Sequence, residues 1–163
     1  MLNVYGAERF IVSSIIVMLV IWINVVAPEL SADKAAREAK NEFFLDLQRG
    51  HKELYGRGIA LSDPAMQQIY EFDGMGARKA AAVLHFEDIK YPMATFYLIV
   101  FGFGVCRMWA AGCMLALLVL PMALTREYSI FAFQLGGMLL GVAVYFLLAR
   151  RHFLKRKSRN PPG

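Results

Sequence analysis

Apolar residues gather in three blocks along the 163-residue chain, at positions 10–27, 96–124 and 130–149. A polar segment at 28–92 separates the first block from the second. Because a bilayer core of about 30 Å needs about 20 helical residues, each block is long enough for one membrane-spanning helix. The pattern predicts an all-α integral membrane protein with three transmembrane helices, one at the N-terminus and two in a C-terminal hairpin.

The central block, 96–124, is interrupted by a single charge, Arg107. It is long enough for one tilted crossing and too short for two crossings with a turn between them, so we interpret it as one span. That span fixes the predicted topology of the chain. In the alternative, with the polar segment outside the cell, the block splits into two re-entrant halves near Arg107.

The blocks divide the chain into four regions. These are an N-terminal transmembrane anchor (1–28), a helical polar insert (29–92), a transmembrane helical hairpin (93–149) and a basic tail (150–163). A hydrophobic content of 58% and a mean hydropathy of +0.44 agree with membrane residence, since soluble domains contain about 45–50% apolar residues. The first block lacks the positive start of a cleavable signal, which favours a permanent anchor.

Within the insert, Ser31 is suited to cap a helix that ends at Gly50. Apolar residues recur every three or four positions in this segment, which predicts a narrow apolar stripe ending in Phe43 and Leu47. The strong end of the stripe is expected to pack against the rest of the insert, the lipid surface or a partner protein.

Two further helices are predicted in the insert. Asp63 and Pro64 form a typical helix start, with Asp63 as N-cap and the proline at the first helical position. A third helix is expected over 77–86, and Pro92 is placed just before the start of the central span.

Charge is distributed unevenly along the chain. The insert contains nine Lys/Arg and eleven Asp/Glu, whereas the tail contains six Lys/Arg and no acid, so the net charge of +5 arises mainly in the tail. By the positive-inside rule, three crossings place insert and tail in the cytoplasm and the N-terminus outside, in a bacterial inner membrane. Membrane lipid is the expected ligand of the tail, and no nucleic acid is expected. The predicted lipid-headgroup contacts are Arg150, Arg151, Lys155, Arg156 and Lys157.

Polar and small residues within the blocks are candidate contacts between helices. A charge in the hydrocarbon costs about 2.5–3.5 kcal/mol, so Arg107 either meets a partner group from another subunit or snorkels to the interface. Gln134 is a second candidate contact. Gly137 and Gly141 form a small-residue pattern that allows close helix packing. The opposing surface is expected among small residues of the central block, namely Gly102, Gly104, Ala111 and Gly112.

No set of residues in the sequence indicates catalysis or a cofactor. Cys106 and Cys113 lie about 10 Å apart on a helix, too far for a disulfide bond. The three histidines lack the spacing of a metal site, and motifs for nucleophilic catalysis or phosphate binding are missing. These features favour a non-enzymatic protein without a cofactor or a metal ion.

We therefore interpret the chain as a scaffold or accessory subunit that binds other membrane-protein subunits or a second copy of itself. Its general layout looks like that of small membrane proteins that accompany bacterial secretion or conjugative-transfer machines. An alternative is a small oligomeric transporter or pore lined by Arg107 and Gln134. A third, weaker interpretation is an enzyme acting on lipid or quinone through His85 and Asp88.

Overall fold

The fold is all-helical throughout the part of the chain that the structure describes. It is a computed structural model describing residues 4–60 and 63–159, with side chains described for 6–60 and 63–153. This confirms the predicted helical class. The helices are α1 (Val4–Ile21), a π-helical turn (Trp22–Val26), α2 (Ala27–Tyr55), α3 (Pro64–Glu71), α4 (Met75–Gly102), α5 (Met108–Thr125) and α6 (Tyr128–Arg159).

Three of the described helical stretches are long and apolar enough to span a membrane. They are Gly6–Tyr55, which combines α1, the π turn and α2, together with Met108–Thr125 and Tyr128–Phe153. The first is 50 residues long, more than twice what one crossing needs, so the candidate span is its apolar N-terminal part. The number of candidate spans agrees with the sequence pattern.

The predicted boundaries of the first insert helix are wrong. Ser31 and Gly50 both lie inside α2, which continues from α1 through the π turn and ends at Gly56. Gly56 adopts a left-handed conformation with φ of 67° and donates its N–H to the Lys52 carbonyl. The wider π turn just before Pro28 accommodates a ring that would otherwise clash with the preceding helical turn.

The predicted start of α3 is confirmed. Asp63 is its N-cap and accepts a hydrogen bond from the Ala65 N–H at 3.0 Å, with Pro64 in the first turn. The separate helix over 77–86 is wrong, because α4 runs without interruption from Met75 through Pro92.

The prediction of one continuous central span is also wrong. α4 ends at Gly102 and α5 begins at Met108, so the apolar block splits near Arg107. Gly104 has φ of 60°, its N–H bonds to the Phe101 carbonyl, and the Val105 N–H bonds to the Val100 carbonyl. This is the hydrogen-bond pattern of a Schellman motif, which ends a helix on a left-handed glycine.

The chain forms two compact units. The helix bundle comprises the described residues of Met1–Val25 and Phe86–Gly163, and the insert unit comprises those of Val26–His85. The bundle core joins side chains from four helices. Its buried members are Val17 and Val20 of α1, Met93, Tyr97 and Val100 of α4, Ala110, Met114 and Leu118 of α5, and Met138 of α6.

The insert unit is held together by contacts of α2 with α3 and with the start of α4. The rings of Phe43 and Phe72 stack with centroids 4.7 Å apart. Gly74, with φ of 64°, packs so closely on Ala36 that a Cβ there would lie 3.1 Å from its backbone. Arg78 forms ion pairs with Glu29 and Asp33 at 3.0 and 2.9 Å.

Candidate functional site

The insert unit has an apolar groove on α2 beside the start of α3. The volume of the groove is about 420 Å³. Both residues predicted from the apolar stripe, Phe43 and Leu47, lie in its wall. We call this surface the α2–α3 groove and define it by Phe43, Leu47, His51, Leu54, Tyr55 and Ala65.

The rim of the groove exposes large apolar side chains. Leu54 is 79% exposed and Tyr55 is 66% exposed, although both are hydrophobic. Phe43 is only half-buried, because one face of its ring stacks on Phe72. A recess of this kind can receive apolar side chains from another molecule, since they would remove both wall and rim from water.

A histidine joins the two helices at one end of the groove. His51 Nε2 lies 2.8 Å from Asp63 Oδ2, and the two side chains are 11% and 21% exposed. His51 Nδ1 lies 3.0 Å from the carbonyl oxygen of Arg57. Both ring nitrogens are therefore occupied, and neither is free for a metal ion or a substrate in this arrangement.

The Asp63 carboxylate is stabilised in its ionised form. The hydrogen bond from the Ala65 N–H lowers the pKa of Asp63 below its usual value, and the contact with His51 acts in the same direction. A carboxyl group with a lowered pKa contributes stability at pH values above its unfolded-state pKa. That contribution is lost as the pH falls through its folded-state pKa.

In the bundle, the two predicted packing glycines lie against α4. A Cβ on Gly137 would lie 2.2 Å from the Ala94 carbonyl oxygen, and one on Gly141 would lie 2.8 Å from that of Leu98. The opposing surface was predicted only in part. Gly102 approaches Val144 and Gly141 and belongs to this contact, whereas a Cβ on Gly112 meets no other described residue within 4 Å.

A cluster of buried polar side chains lies inside the bundle. Asn24, Tyr97 and Gln134, which we call the polar core, are all fully buried. Gln134 Nε2 donates to Asn24 Oδ1 at 3.4 Å, and Asn24 Nδ2 donates to the Val20 carbonyl at 3.0 Å. The Tyr97 hydroxyl and Gln134 Oε1 are buried and have no hydrogen-bond partner among the described residues. Asn24 belongs to the π turn, so the irregular turn carries the amide that reaches α6.

Arg107 does not lie inside a helix. It is exposed in the turn between α4 and α5, at the N-cap position of α5. Its backbone N–H donates to the buried Ser13 Oγ at 3.3 Å, which ties this turn to α1. Interpreting it as a charge in the middle of a continuous span is therefore wrong, and the position agrees with an anchor at the end of the bundle.

The basic segment continues α6, which extends to Arg159. Arg150 and Arg151 are exposed on this helix. The side chains of Lys155, Arg156 and Lys157, also predicted to meet lipid headgroups, lie outside those that the structure describes.

Comparison with family models, curated proteins and solved structures gives no match. Among the described residues, no group of three or more His, Cys, Asp or Glu side chains is arranged to hold a metal ion.

Two features of the site were not predicted from the sequence. The Asn24–Gln134 pair joins residues 110 positions apart, and the His51–Asp63 pair crosses the α2–α3 connection. Two amides inside otherwise apolar blocks were the available signal for the first pair. For the second, the signal was a histidine near the end of one helix and an N-cap aspartate at the start of the next.

Proposed function

We propose that this protein is a non-enzymatic membrane subunit that holds a partner protein through the α2–α3 groove. The observation that carries the proposal is the apolar recess of about 420 Å³ with exposed Leu54 and Tyr55 on its rim. An amphipathic helix of the partner fits such a surface, because its apolar side chains occupy the groove and its polar face stays in water. The layout suits an accessory subunit of a bacterial secretion or conjugative-transfer machine.

The distribution of polarity in the bundle supports insertion in a membrane. Its outer surface carries highly exposed apolar side chains, including Ile15, Met18, Leu139 and Phe146, each more than 60% exposed. Its interior contains the polar core in addition to the apolar side chains of the bundle core. An apolar exterior of this kind is unfavourable in water and favourable in lipid, where buried amides act as contacts between helices.

The pairing of α4 with α6 favours four crossings. Gly102 meets Val144, just as Gly137 meets Ala94 and Gly141 meets Leu98, so residue numbers rise together along the two helices and they run parallel. The uncharged end of α4, 91–102, is about 18 Å long, and Glu87, Asp88 and Lys90 lie in the helical turn before it, on the polar side. A span shorter than the hydrocarbon core is accommodated by local thinning of the bilayer. We propose that this end of α4 crosses the membrane beside α6.

Four crossings place both termini on one side of the membrane and the polar segment 28–92 on the other. The side with the termini then carries eight Lys/Arg against one acid, and the other side carries ten against twelve. The positive-inside rule assigns the termini to the cytoplasm. The insert is consequently proposed to face the outside of the cell, as in the alternative topology of the sequence analysis.

Cysteine labelling tests this topology. Arg57→Cys and His152→Cys, each made in a Cys106→Ser/Cys113→Ser background, present one thiol each on the insert and on the tail. A membrane-impermeant maleimide is expected to label Arg57→Cys in intact cells and His152→Cys only after the membrane is opened. Labelling of both positions under the same condition would instead support three crossings.

Substitutions on α2 test the groove. Leu54→Glu places a charge on the apolar rim and is expected to weaken partner binding about 10- to 100-fold, since burying a leucine contributes about 1.5–3 kcal/mol. Leu45→Glu is the matched control, because Leu45 lies on the same helix, is 54% exposed and is outside the groove.

The measurement is purification from the native host in mild detergent, followed by mass spectrometry of the companions. We expect the wild type and Leu45→Glu to retain the same companion protein and Leu54→Glu to lose it. Recovery of the wild type as a lone monomer would contradict the proposal. Equal recovery of the companion with both variants would show that binding uses another surface.

The pore interpretation gains no support from the geometry. Gln134 meets the π turn at Asn24, whereas Arg107 meets α1 at Ser13. Asn24 lies eleven positions after Ser13 in the same helical stretch, a rise of about 16 Å. The two residues proposed to line a pathway are therefore not brought together.

A further inference from the structure

His51 faces two oxygen acceptors at once. Its Nε2 lies 2.8 Å from the Asp63 carboxylate and its Nδ1 lies 3.0 Å from the Arg57 carbonyl. A neutral imidazole has one N–H donor, whereas the imidazolium form has two. Neither a carbonyl oxygen nor a carboxylate can donate, so both contacts are hydrogen bonds only when His51 is protonated.

These two bonds connect the elements that shape the groove. His51 lies on α2 and in the groove wall, Arg57 follows the end of α2, and Asp63 caps α3, whose Ala65 also lies in the wall. Loss of one bond would release either the segment after α2 or the start of α3. The position of Ala65, which is the α3 residue of the groove wall, therefore depends on the charge of His51.

We propose that protonation of His51 regulates the α2–α3 groove, which is ordered and able to bind when the histidine is charged and loosens as the pH rises. The proposal deepens the proposed function and rests on it for the identity of the occupant. Histidine changes its charge between pH 5 and 8, so the response falls within a range that the outside of a bacterial cell can experience.

The ionisable groups around His51 allow this assignment. Asp63 faces its Nε2, and Arg57 interacts electrostatically with Asp63. On α2, Asp46 also lines the recess, and the Tyr55 ring lies 4.7 Å from the imidazole centroid. Asp63 is already ionised throughout pH 5–8, because its pKa is lowered from an acidic value.

The sign of the effect follows from the donor count. The second hydrogen bond is present at acidic pH, where the imidazole is charged, and is lost as the pH rises through the range in which histidine titrates. Ordering of residues 56–60 and 63–66 is therefore expected to decrease from pH 5.5 to pH 7.5.

Asp63→Asn separates the proposed switch from a purely structural contact. Asparagine is an equally good N-cap, so the start of α3 is preserved. Its amide can donate to Nε2 of a neutral histidine whose Nδ1–H still donates to the Arg57 carbonyl. Both hydrogen bonds of His51 then form with the neutral imidazole, so the pH dependence of amide protection is expected to disappear. His51→Gln removes the titrating group, and His152→Gln is the control on the tail.

The test is hydrogen–deuterium exchange of the full chain in detergent at pH 5.5 and 7.5, corrected for intrinsic exchange. Protection of amides in 56–60 and 63–66 is expected to fall about tenfold at the higher pH in the wild type and in His152→Gln. Asp63→Asn and His51→Gln are expected to show equal protection at both pH values. A pH-independent wild type, or an unchanged response in Asp63→Asn, would overturn the proposal.

This measurement needs no partner protein. If protection responds to pH as expected but no companion depends on Leu54, the proposed function fails while the histidine switch stands. If a companion depends on Leu54 but protection does not respond to pH, the groove stands and the switch fails.

Discussion

Gly137→Ala is expected to destabilise the helix bundle by about 3 kcal/mol, at the upper end of the cost of overpacking a well-packed core. The added Cβ would lie 2.2 Å from the Ala94 carbonyl oxygen and 2.7 Å from its Cα. Both are backbone atoms and cannot move aside by changing a rotamer, so α4 and α6 must separate. Thermal unfolding in detergent, followed by circular dichroism, measures the loss.

Gly136→Ala is the matched control for this prediction. It lies next to Gly137 on α6, yet a Cβ there meets no other described residue within 4 Å. Alanine is favoured over glycine in a helix by about 1 kcal/mol, so this variant is expected to be as stable as the wild type or slightly more stable. Equal destabilisation of both variants would show that the close approach of α4 to Gly137 does not form.

Replacing one amide of the polar core is expected to have the second-largest effect. Asn24→Leu removes the acceptor of the Gln134 amide and leaves a fully buried polar side chain without its partner. The expected cost is about 2 kcal/mol, because a buried unpaired amide loses both water and its hydrogen bond. The same unfolding measurement in detergent detects it.

The double variant Asn24→Leu/Gln134→Leu tests whether the two amides act as a pair. Removing both partners leaves no orphaned amide in this contact, so the cost is expected to be smaller than the sum of the two single variants. Ser14→Ala is a control with little expected effect, because Ser14 is only partly buried and bonds to the Phe10 carbonyl of its own helix. Strictly additive costs would show that Asn24 and Gln134 do not interact.

Local signals were reliable where the local sequence decides the structure. The N-cap at Asp63 and the helix start at Pro64 were predicted because capping and a fixed proline φ act within one turn. The short gap between the blocks at 96–124 and 130–149 predicted the C-terminal hairpin, and in its turn the Thr125 hydroxyl accepts a hydrogen bond from the Glu127 N–H.

The break between α4 and α5 was not predicted, because the length and hydropathy of the block at 96–124 indicated a single span. Gly104 could have been interpreted as the left-handed residue that ends a helix, with Arg107 as a polar residue in the following turn. Glycine is common in membrane helices, however, and its presence alone does not distinguish a helix end from a packing contact. Because the block is split, Arg107 is an exposed residue at the start of α5 and not a charge within a span.

Pro28 and Pro92 both lie within helices, contrary to what the neighbouring residues indicate. Pro28 and Pro92 indicate helix ends when only the neighbouring residues are considered. In the structure, a π turn precedes Pro28, and the residues that follow Pro92 pack into the bundle core. The continuation through Pro92 therefore coincides with contacts distant in sequence, whereas the π turn before Pro28 is a local feature.

The amino-acid sequence by itself determined the helical class, the three apolar stretches and the helix start at Asp63. It did so because hydropathy and capping depend on residues within a few positions of each other. Only the tertiary structure decided that Gly137 meets Ala94, Asn24 meets Gln134 and His51 meets Asp63. A helix that is apolar on all faces has no periodic pattern to show which face meets which neighbour, so the first two pairings appear only when the helices pack. The third pairing depends on how the start of α3 lies against α2.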